Sequence, residues 1–544
     1  MVQRVRRGRQ ALEQAASDID WLAVKAGGVA VFLLGLITTT NTSLGTAFTA
    51  AICVAALGIL GVSVLKRPEW SLYALAAYLP FSRELPGDFG GAAKALNLTN
   101  LLCLAILAGW SASGGSRRKD KPLRGSAMGK LVLLFCVWGA ISLIRGALEM
   151  GGGYLAAYLT PLKQWLTPML IYYLVRMVVS DRRVIKTMAV IIMITVSVVA
   201  LMAVKDYQLE GQFASSLEKA RIGGIAEQPN MLGSFFANYG LLMLGVLSVF
   251  THRPGAWWLM VPLMILTRGI QVTFSRGAYL ALALGAMTIF FFRNKMLWIM
   301  GMVLAVVVAV TPALQPGSVR ERMNATMQGE TTSFYGPSDS AEHLEPSARN
   351  RIYAWRGAMR MIQDEPFLGI GYGFFARKAP EYAPELKGAW IDAHNEYLLI
   401  AAEMGLPMLA IFLLILWTAS SETYWVWKNS SDPMIRAIAL GFLGGLTALT
   451  AGNMFGSRMQ AQEISGYFWV LAALMTKLKM TEPVVARKRW IDRQRAAAET
   501  RGASHETRVA SHRLPAPGYK LQVAPGTSRR RAAMPYSPSR RTAL

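Results

Sequence analysis

The chain has 544 residues, of which 53% are hydrophobic and 16% charged, and its formal net charge is +25. The apolar residues arrive in runs of roughly 18 to 22, enough to cross a bilayer as helix, which excludes an ordinary soluble protein. Because backbone groups in lipid must be hydrogen-bonded within their own segment, these runs predict helices. The composition therefore predicts an all-α polytopic membrane protein.

Taken in chain order, the basic start at 1–21 predicts a cytoplasmic N-terminus, because no small-residue cleavage site follows its first apolar run. Alternating the following runs from that side places the connections rich in Lys and Arg inside, as the positive-inside rule requires. Fourteen runs place both termini in the cytoplasm. Because two of these runs are short, the predicted number of transmembrane helices is about 12 to 14. The predicted spans are 22–40, 46–65, 69–83, 96–113, 130–147, 160–178, 187–204, 229–250, 256–271, 276–292, 296–314, 395–418, 434–452 and 463–479.

One connection, 315–394, is much longer than the others, and a loop of this length is usually functional or disordered. Its first part shows no apolar periodicity, which predicts a mobile segment. From Arg349 onward apolar residues recur at helical spacing, which predicts an amphipathic helix on the outer side of the membrane, ended by Pro366. The predicted apolar face of this helix consists of Ile352, Trp355, Met359 and Ile362, with Arg349, Arg356 and Arg360 on another face.

The tail, 481–544, carries fourteen Lys or Arg against four acidic residues. Pro, Ser, Ala and Arg dominate it and no apolar periodicity continues through it, which is typical of a disordered cytoplasmic extension. Its expected partner is anionic lipid, and nucleic acid, a distant second, is not expected. The three cysteines lie inside apolar runs without ligand spacing, so neither a disulfide nor a metal site is predicted.

Only one of the five histidines, His394, lies where a predicted span meets water on the outer side. A neutral imidazole accepts a proton from a hydroxyl near neutral pH, which makes His394 a candidate general base. Asp392 upstream and Asn395 beside it are expected to fix its tautomer. The alternative interpretation is a histidine that caps a helix or bonds a lipid headgroup.

Arginines at the ends of spans are the second signal. Arg221, Arg268 and Arg276 lie on the same predicted side as His394, and Lys163 lies near the outer end of its span. A charge near hydrocarbon is costly and tends to face a cavity or a partner, and arginine pairs phosphate oxygens bidentately. Together they predict a shared anion site, whereas any one of them alone is also explained by snorkelling to the interface.

Four blocks of sequence, in this order, resemble the O-antigen ligase and Wzy-type polymerase superfamily. They are "RIGGIAEQPNMLGSFF", "FSRGAYLALALG", "RIYAWRGAMRMIQDEPFLGIGYGFF" and "AHNEYLLIAAEMGLPMLAIFLL". The long loop and the spans after it also fit, so the resemblance covers 160–480. It divides the chain into the basic N-terminus (1–21), N-terminal transmembrane helices (22–159), a ligase-like transmembrane domain with a periplasmic loop (315–394), and the tail (481–544).

The resemblance implies a glycosyltransferase of the bacterial inner membrane, with a GT-C-like helical fold and no cofactor. The donor would be a glycan on undecaprenyl pyrophosphate, and the acceptor a hydroxyl of a glycan, of a lipid A core or of a protein. His394 would be the base, while Arg221 and Arg276 would hold the pyrophosphate. No Asp-x-Asp pair lies on the predicted outer face, so transfer is expected to be metal-independent, and direct displacement would be inverting. Possible supporting residues are Lys163, Arg268, Arg349, Asp392, Asn395 and Glu403.

Two questions stay open at this point. A transporter or flippase that moves an anionic lipid-linked glycan without forming a bond is the alternative function, although no internal repeat pairs the two halves of the chain. Ligase and polymerase share one reaction and differ only in which hydroxyl arrives, so the sequence leaves the identity of the acceptor undecided.

Overall fold

The structure is a computed structural model that describes residues 19–39, 67–83, 98–112, 125–311, 346–386 and 392–481, together with the single residues 58 and 61. The described part of the chain is 85% helical and contains no strand, which confirms the all-α prediction. Most of the predicted span 46–65, the first part of the long loop and nearly all of the basic tail lie outside the described residues.

The described ranges contain fifteen α-helices of two turns or more, numbered in chain order, besides the one-turn helix Leu217–Ala220 and several 3-10 turns. They are α1 (Trp21–Thr39), α2 (Glu69–Tyr78), α3 (Leu98–Ala112), α4 (Ala127–Met150), α5 (Gly152–Val178), α6 (Arg182–Leu209), α7 (Pro229–Phe250), α8 (Met260–Gln271), α9 (Arg276–Arg293), α10 (Lys295–Val310), α11 (Pro346–Asp364), α12 (Phe375–Tyr382), α13 (Glu396–Asn429), α14 (Pro433–Gly452) and α15 (462–481).

Within the described ranges, six helical stretches are long and apolar enough to cross a membrane: Ala127–Met150, Arg182–Phe213, Pro229–Phe250, Arg276–Arg293, Glu396–Asn429 and Pro433–Phe455. Three shorter apolar helices accompany them: Trp21–Leu34, Leu98–Ala112 and Lys295–Val308. The chain is therefore a polytopic membrane protein, and the count of about 12 to 14 spans stays a prediction.

Three helices, α7, α9 and α14, approach one another backbone against backbone. A Cβ placed on Gly245 would lie 2.4 Å from the Cα of Gly441, and one on Gly285 would lie 2.6 Å from the carbonyl oxygen of Gly444. Lipid supplies no hydrophobic driving force between helices, so small residues that permit such close approach are a main source of helix association. We call these three helices the glycine-packed core.

Helix α13 is bent where the motif "EMGLP" occurs. Gly405 has φ 84 and ψ 167 inside the helix, a conformation that favours glycine. The glycine turn of the long loop docks into this bend, because the backbone N–H of Ile370 donates to the carbonyl of Ala402 at 2.8 Å and that of Gly371 donates to the carbonyl of Glu403 at 3.0 Å. Carbonyl groups at the bend therefore accept hydrogen bonds from the backbone N–H groups of the turn.

The predicted amphipathic helix exists as α11, which ends two residues before Pro366. Its buried face is nevertheless formed by Ala354, Ala358 and Met361, all fully buried, while Met359 is 48% exposed. The predicted apolar face was therefore wrong at Met359. Small side chains at 354 and 358 let the helix lie close to its neighbours, so packing overrides the hydrophobicity of a single methionine.

Candidate active site

Four arginines meet in one pocket at the end of the helix bundle where α7 and α9 begin. The pocket has about 310 Å³ of empty space, including open solvent, and is lined by Arg221, Arg276, Arg351 and Arg458 together with Asn230, Phe274, Ser275, Gly277 and Phe455. No acidic side chain is among the described residues that line it. We call this site the arginine pocket, and its chemistry suits a multiply charged anion.

The glycine-packed core positions three of these arginines. Arg221 lies in the loop that leads into α7, Arg276 is the first residue of α9, and Arg458 lies in the connection that follows α14. The fourth, Arg351, comes from α11 in the long loop. Rigid helices packed through their glycines thus hold the ends from which the arginines project, and the long loop completes the pocket.

Arg221 is fixed by contacts on both sides of its guanidinium. Its Nε donates to the carbonyl of Thr273 at 3.2 Å, and its Nη2 donates to Oδ1 of Asn230 at 2.8 Å. The neighbouring backbone is tied as well, because the N–H of Ile222 donates to the carbonyl of Val272 at 3.1 Å. The loop before α7 and the residues before Arg276 therefore form one unit.

The start of α9 adds polar groups to the pocket. Ser275 is the N-cap residue of this helix, yet its side chain makes no capping hydrogen bond. Its Oγ is buried and has no hydrogen-bond partner among the described groups. The first N–H groups of a helix and its positive dipole end attract anions. The arginine pocket therefore combines guanidinium charge with a helix N-terminus.

His394 lies in the turn before α13, and its side chain is 30% exposed. Its Nδ1 is 3.3 Å from Oδ1 of Asp392. Burial lowers the pKa of the imidazole below its usual 6.5, Asp392 raises it, and the positive charges of Arg351 and Arg458 lower it further. The same two arginines line the arginine pocket, so the histidine and the pocket belong to one charge cluster.

Three non-glycine residues of the described ranges have positive φ: Glu227 (55), Phe274 (49) and His394 (46). Phe274 lines the arginine pocket, and Glu227 lies just before α7. Such conformations cost of order 1–3 kcal/mol and persist where the surrounding structure imposes them, commonly at functional sites. Strain in the described backbone is thus located at the same end of the bundle as the arginines.

Residues 261–413 match the family model described as O-antigen ligase. The chain carries a domain of the O-antigen ligase family. This confirms the resemblance drawn from the sequence. The matched range of this O-antigen ligase domain includes Arg276, Arg351 and His394, whereas Arg221 and Arg458 lie outside it. No curated protein matches the chain.

Two of the predicted supporting residues, Asn395 and Glu403, accept hydrogen bonds from the backbone and so have structural roles. Oδ1 of Asn395 accepts from the backbone N–H groups of Tyr397 and Leu398 at 3.0 and 3.2 Å, which caps the N-terminus of α13. Oε1 of Glu403 accepts from the N–H of Phe375 at 3.1 Å and so holds the residues after the glycine turn. Asp392 is the predicted neighbour that faces the imidazole.

The remaining predicted supporting residues are not among those that line the arginine pocket. Lys163 is exposed on α5. The guanidinium of Arg268 lies over the ring of Tyr207, 5.3 Å from its centre. Arg349 is half-buried near the start of α11. Their proposed supporting roles remain predictions.

Sequence reasoning missed Arg351 and Arg458. Arg351 stands two residues after Arg349, on a helix whose other arginines fit a polar face, so the sequence pattern does not distinguish it. Arg458 follows "GNMFGS", a connection without a cluster of positive charge. The usable signal was a single arginine between two apolar spans on the side predicted for His394.

A second cavity adjoins the arginine pocket and shares Arg221 with it. It has about 1350 Å³ of empty space, including open solvent. Apolar residues of α6, among them Val199 and Met202, line one part, while Asp206 and Glu210 line another. Among the described residues, no group of three or more His, Cys, Asp or Glu could hold a metal ion, and metal independence stays a prediction.

Proposed function

We propose that this protein transfers a glycan from an undecaprenyl-pyrophosphate carrier to an acceptor hydroxyl at the periplasmic face of the bacterial inner membrane. The observation that carries the proposal is that four arginines line one pocket and that the segment bearing one of them, Arg458, is hydrogen-bonded to the start of α13, two residues after His394. A base and an anion site in one charge cluster suit a reaction in which a hydroxyl loses its proton while a phosphate departs. The O-antigen ligase match supports the same class of reaction.

In the proposed reaction His394 accepts the proton of the acceptor hydroxyl. The acceptor oxygen forms a bond to the anomeric carbon of the donor glycan, and the bond from that carbon to the carrier pyrophosphate breaks. The electron pair of the broken bond stays on the pyrophosphate oxygen, where Arg221 and Arg276 stabilise the added negative charge. This is a direct displacement, so it inverts the anomeric centre, and none of its steps requires a metal ion.

The fixed geometry of Arg221 supports its role in this reaction. Its Nε and Nη2 contacts to Thr273 and Asn230 orient the guanidinium before any substrate arrives. Preorganised donors stabilise a developing charge without the cost of reorienting during the reaction. The second cavity, which begins at Arg221, supplies room beside the pyrophosphate for another part of the donor.

The experiment that tests the proposal uses the purified full-length protein in liposomes with a fluorescent undecaprenyl-pyrophosphate glycan and a glycan acceptor. We expect a covalent product that contains both glycans and does not form without the acceptor. Movement of the labelled lipid across the bilayer without that product would show a transporter instead. Parallel reactions with a growing glycan and with a lipid A core as acceptor decide between polymerase and ligase.

A further inference from the structure

Arg458 is the most deeply buried arginine of the arginine pocket, with 1% of its surface exposed. Its Nε and Nη1 are buried and have no hydrogen-bond partner among the described groups. Leaving donors of a charged group unsatisfied in a buried position is costly, unless a ligand supplies the acceptors. The side chain lines a pocket with no carboxylate among its described lining residues, so the missing acceptors point to an anion.

Three glycines leave space for this side chain. A Cβ on Gly452 would lie 2.8 Å from Nη1 of Arg458, and one on Gly456 would lie 3.1 Å from its Nε. A Cβ on Gly277 would lie 3.4 Å from its Nη2, which places the guanidinium beside the first turn of α9. The guanidinium therefore reaches the same helix N-terminus that presents Arg276 to the pocket.

The loop that bears Arg458 is anchored to the segment that bears His394. Glu396 is fully buried, and its Oε2 accepts from the backbone N–H of Met459 at 2.9 Å. Glu396 is the first residue of α13 and stands two residues after His394. This contact sets the distance between the candidate base and the Arg458 loop.

Resting on the function proposed above, we infer that Arg458 is a third ligand of the departing pyrophosphate and that Glu396 is the residue that positions it. When the bond between the anomeric carbon and the pyrophosphate oxygen breaks, the phosphate accepts hydrogen bonds from Nε and Nη1 of Arg458. The guanidinium keeps its protons throughout, since the proton of the acceptor hydroxyl goes to His394. Arg458 thus binds the leaving group on the side of the pocket that faces the base.

The charge of the pocket specifies the class of anion. Four guanidinium ions without a carboxylate among the described lining residues repel one another, and a ligand with several negative charges relieves this repulsion. Burial and the neighbouring Arg351 both lower the pKa of Arg458, while Glu396 raises it. A diphosphate neutralises more of this charge than a monophosphate does, so the pocket is expected to prefer diphosphate.

The test measures binding of inorganic pyrophosphate and of inorganic phosphate to the detergent-solubilised full-length protein by titration calorimetry. We expect pyrophosphate to bind more tightly than phosphate. Arg458→Lys should weaken pyrophosphate binding about tenfold or more, because the ammonium group of lysine lacks the planar fork that binds two phosphate oxygens. Arg436→Lys, an exposed conservative change at the opposite end of α14, should bind as the wild type does. Unchanged pyrophosphate affinity in Arg458→Lys would overturn the inference.

Gly452→Ala provides a second variant that keeps Arg458 itself. Gly452 has helical φ and ψ, so alanine is tolerated by the backbone, but its Cβ would collide with Nη1 of Arg458. The guanidinium must move, and we expect weaker pyrophosphate binding with an unchanged melting temperature. Wild-type affinity in this variant would show that the position of the guanidinium does not matter, which contradicts the inference.

The positioning role of Glu396 is tested by comparing Glu396→Gln with Glu396→Ala. The amide oxygen of glutamine still accepts the N–H of Met459, so Gln should restore much of the pyrophosphate affinity that Ala loses. Equal affinity in both variants and the wild type would remove the positioning role. Failure of the proposed function looks different: pyrophosphate binding would depend on Arg458 although no glycan is transferred.

Discussion

Nδ1 of His394 lies 3.3 Å from Oδ1 of Asp392, at the turn that precedes α13. A carboxylate opposite Nδ1 favours the tautomer in which that nitrogen carries the proton, which leaves Nε2 as the acceptor. In the proposed reaction the two residues act as a base with an orienting partner, an arrangement common to many enzymes that activate a hydroxyl.

His394→Ala should abolish glycan transfer, because it removes the group that accepts the hydroxyl proton. A positioned general base contributes typically about 10² to 10⁴ in rate. The measurement is product formation in the liposome assay, with the amount of protein in the membrane checked by immunoblot. His252→Ala, which changes a histidine at the other end of α7, is the matched control and should keep wild-type activity. Transfer by His394→Ala at the wild-type rate would exclude the proposed base.

The pH dependence of transfer should follow the protonation of His394. The imidazole acts as a base only when neutral, and burial together with two arginines lowers its pKa below 6.5. The rate is therefore expected to be constant above about pH 6.5 and to fall in more acidic solution as the imidazole becomes protonated.

Two variants should move the acidic limb of this profile in opposite directions. Asp392 raises the pKa of His394, so Asp392→Asn should shift the limb to lower pH. Arg351 lowers that pKa, so Arg351→Met should shift it to higher pH. The measured quantity is the midpoint of kcat/KM against pH, which is independent of the height of the profile. A limb that stays in place in both variants would mean that another group controls the rate.

The sequence was sufficient to predict the helical class and the amphipathic helix, and it singled out His394 as a candidate base. These features depend on local patterns: long apolar runs, helical spacing in α11 and a rare residue type at the mouth of a span. The buried face of α11 depends instead on what packs against it. Ala354 and Ala358 are the buried positions because the helix lies close to its neighbours, and apolar periodicity does not report closeness.

The arginine pocket likewise combines residues that have a local sequence signal with one that has none. Arg221 and Arg276 stood in recognisable motifs, and the structure places both in the pocket. Arg458 had no motif around it, and only the close packing of α9 and α14 brings it beside Gly277. A residue supplied to a site by tertiary packing carries no local signal, since its neighbours in sequence are ordinary spans and turns.

Arg221→Lys and Arg276→Lys should each lower kcat/KM for glycan transfer about 10- to 100-fold, because lysine keeps the charge but lacks the planar fork that binds two phosphate oxygens. Arg221→Lys also loses the Nε contact to Thr273, so its effect should be the larger. Arg360→Lys is the control, since Arg360 is exposed and donates to the carbonyl of Tyr382, outside the pocket. Near-normal turnover in both test variants would mean that these arginines extend to the membrane interface and do not bind the pyrophosphate.

Gly405→Ala should destabilise the protein and impair transfer, although it changes no candidate catalytic group. The residue has φ 84, and a Cβ there would lie 2.1 Å from the carbonyl oxygen of Phe367, so the glycine turn must leave the bend of α13. Strain of this kind costs of order 1–3 kcal/mol, which should appear as a lower melting temperature in detergent. Gly28→Ala is the matched control, because a Cβ at that helical position meets nothing within 4 Å and alanine favours the helix. If both variants have the melting temperature of the wild type, the bend of α13 does not hold the loop that carries Arg351 and His394.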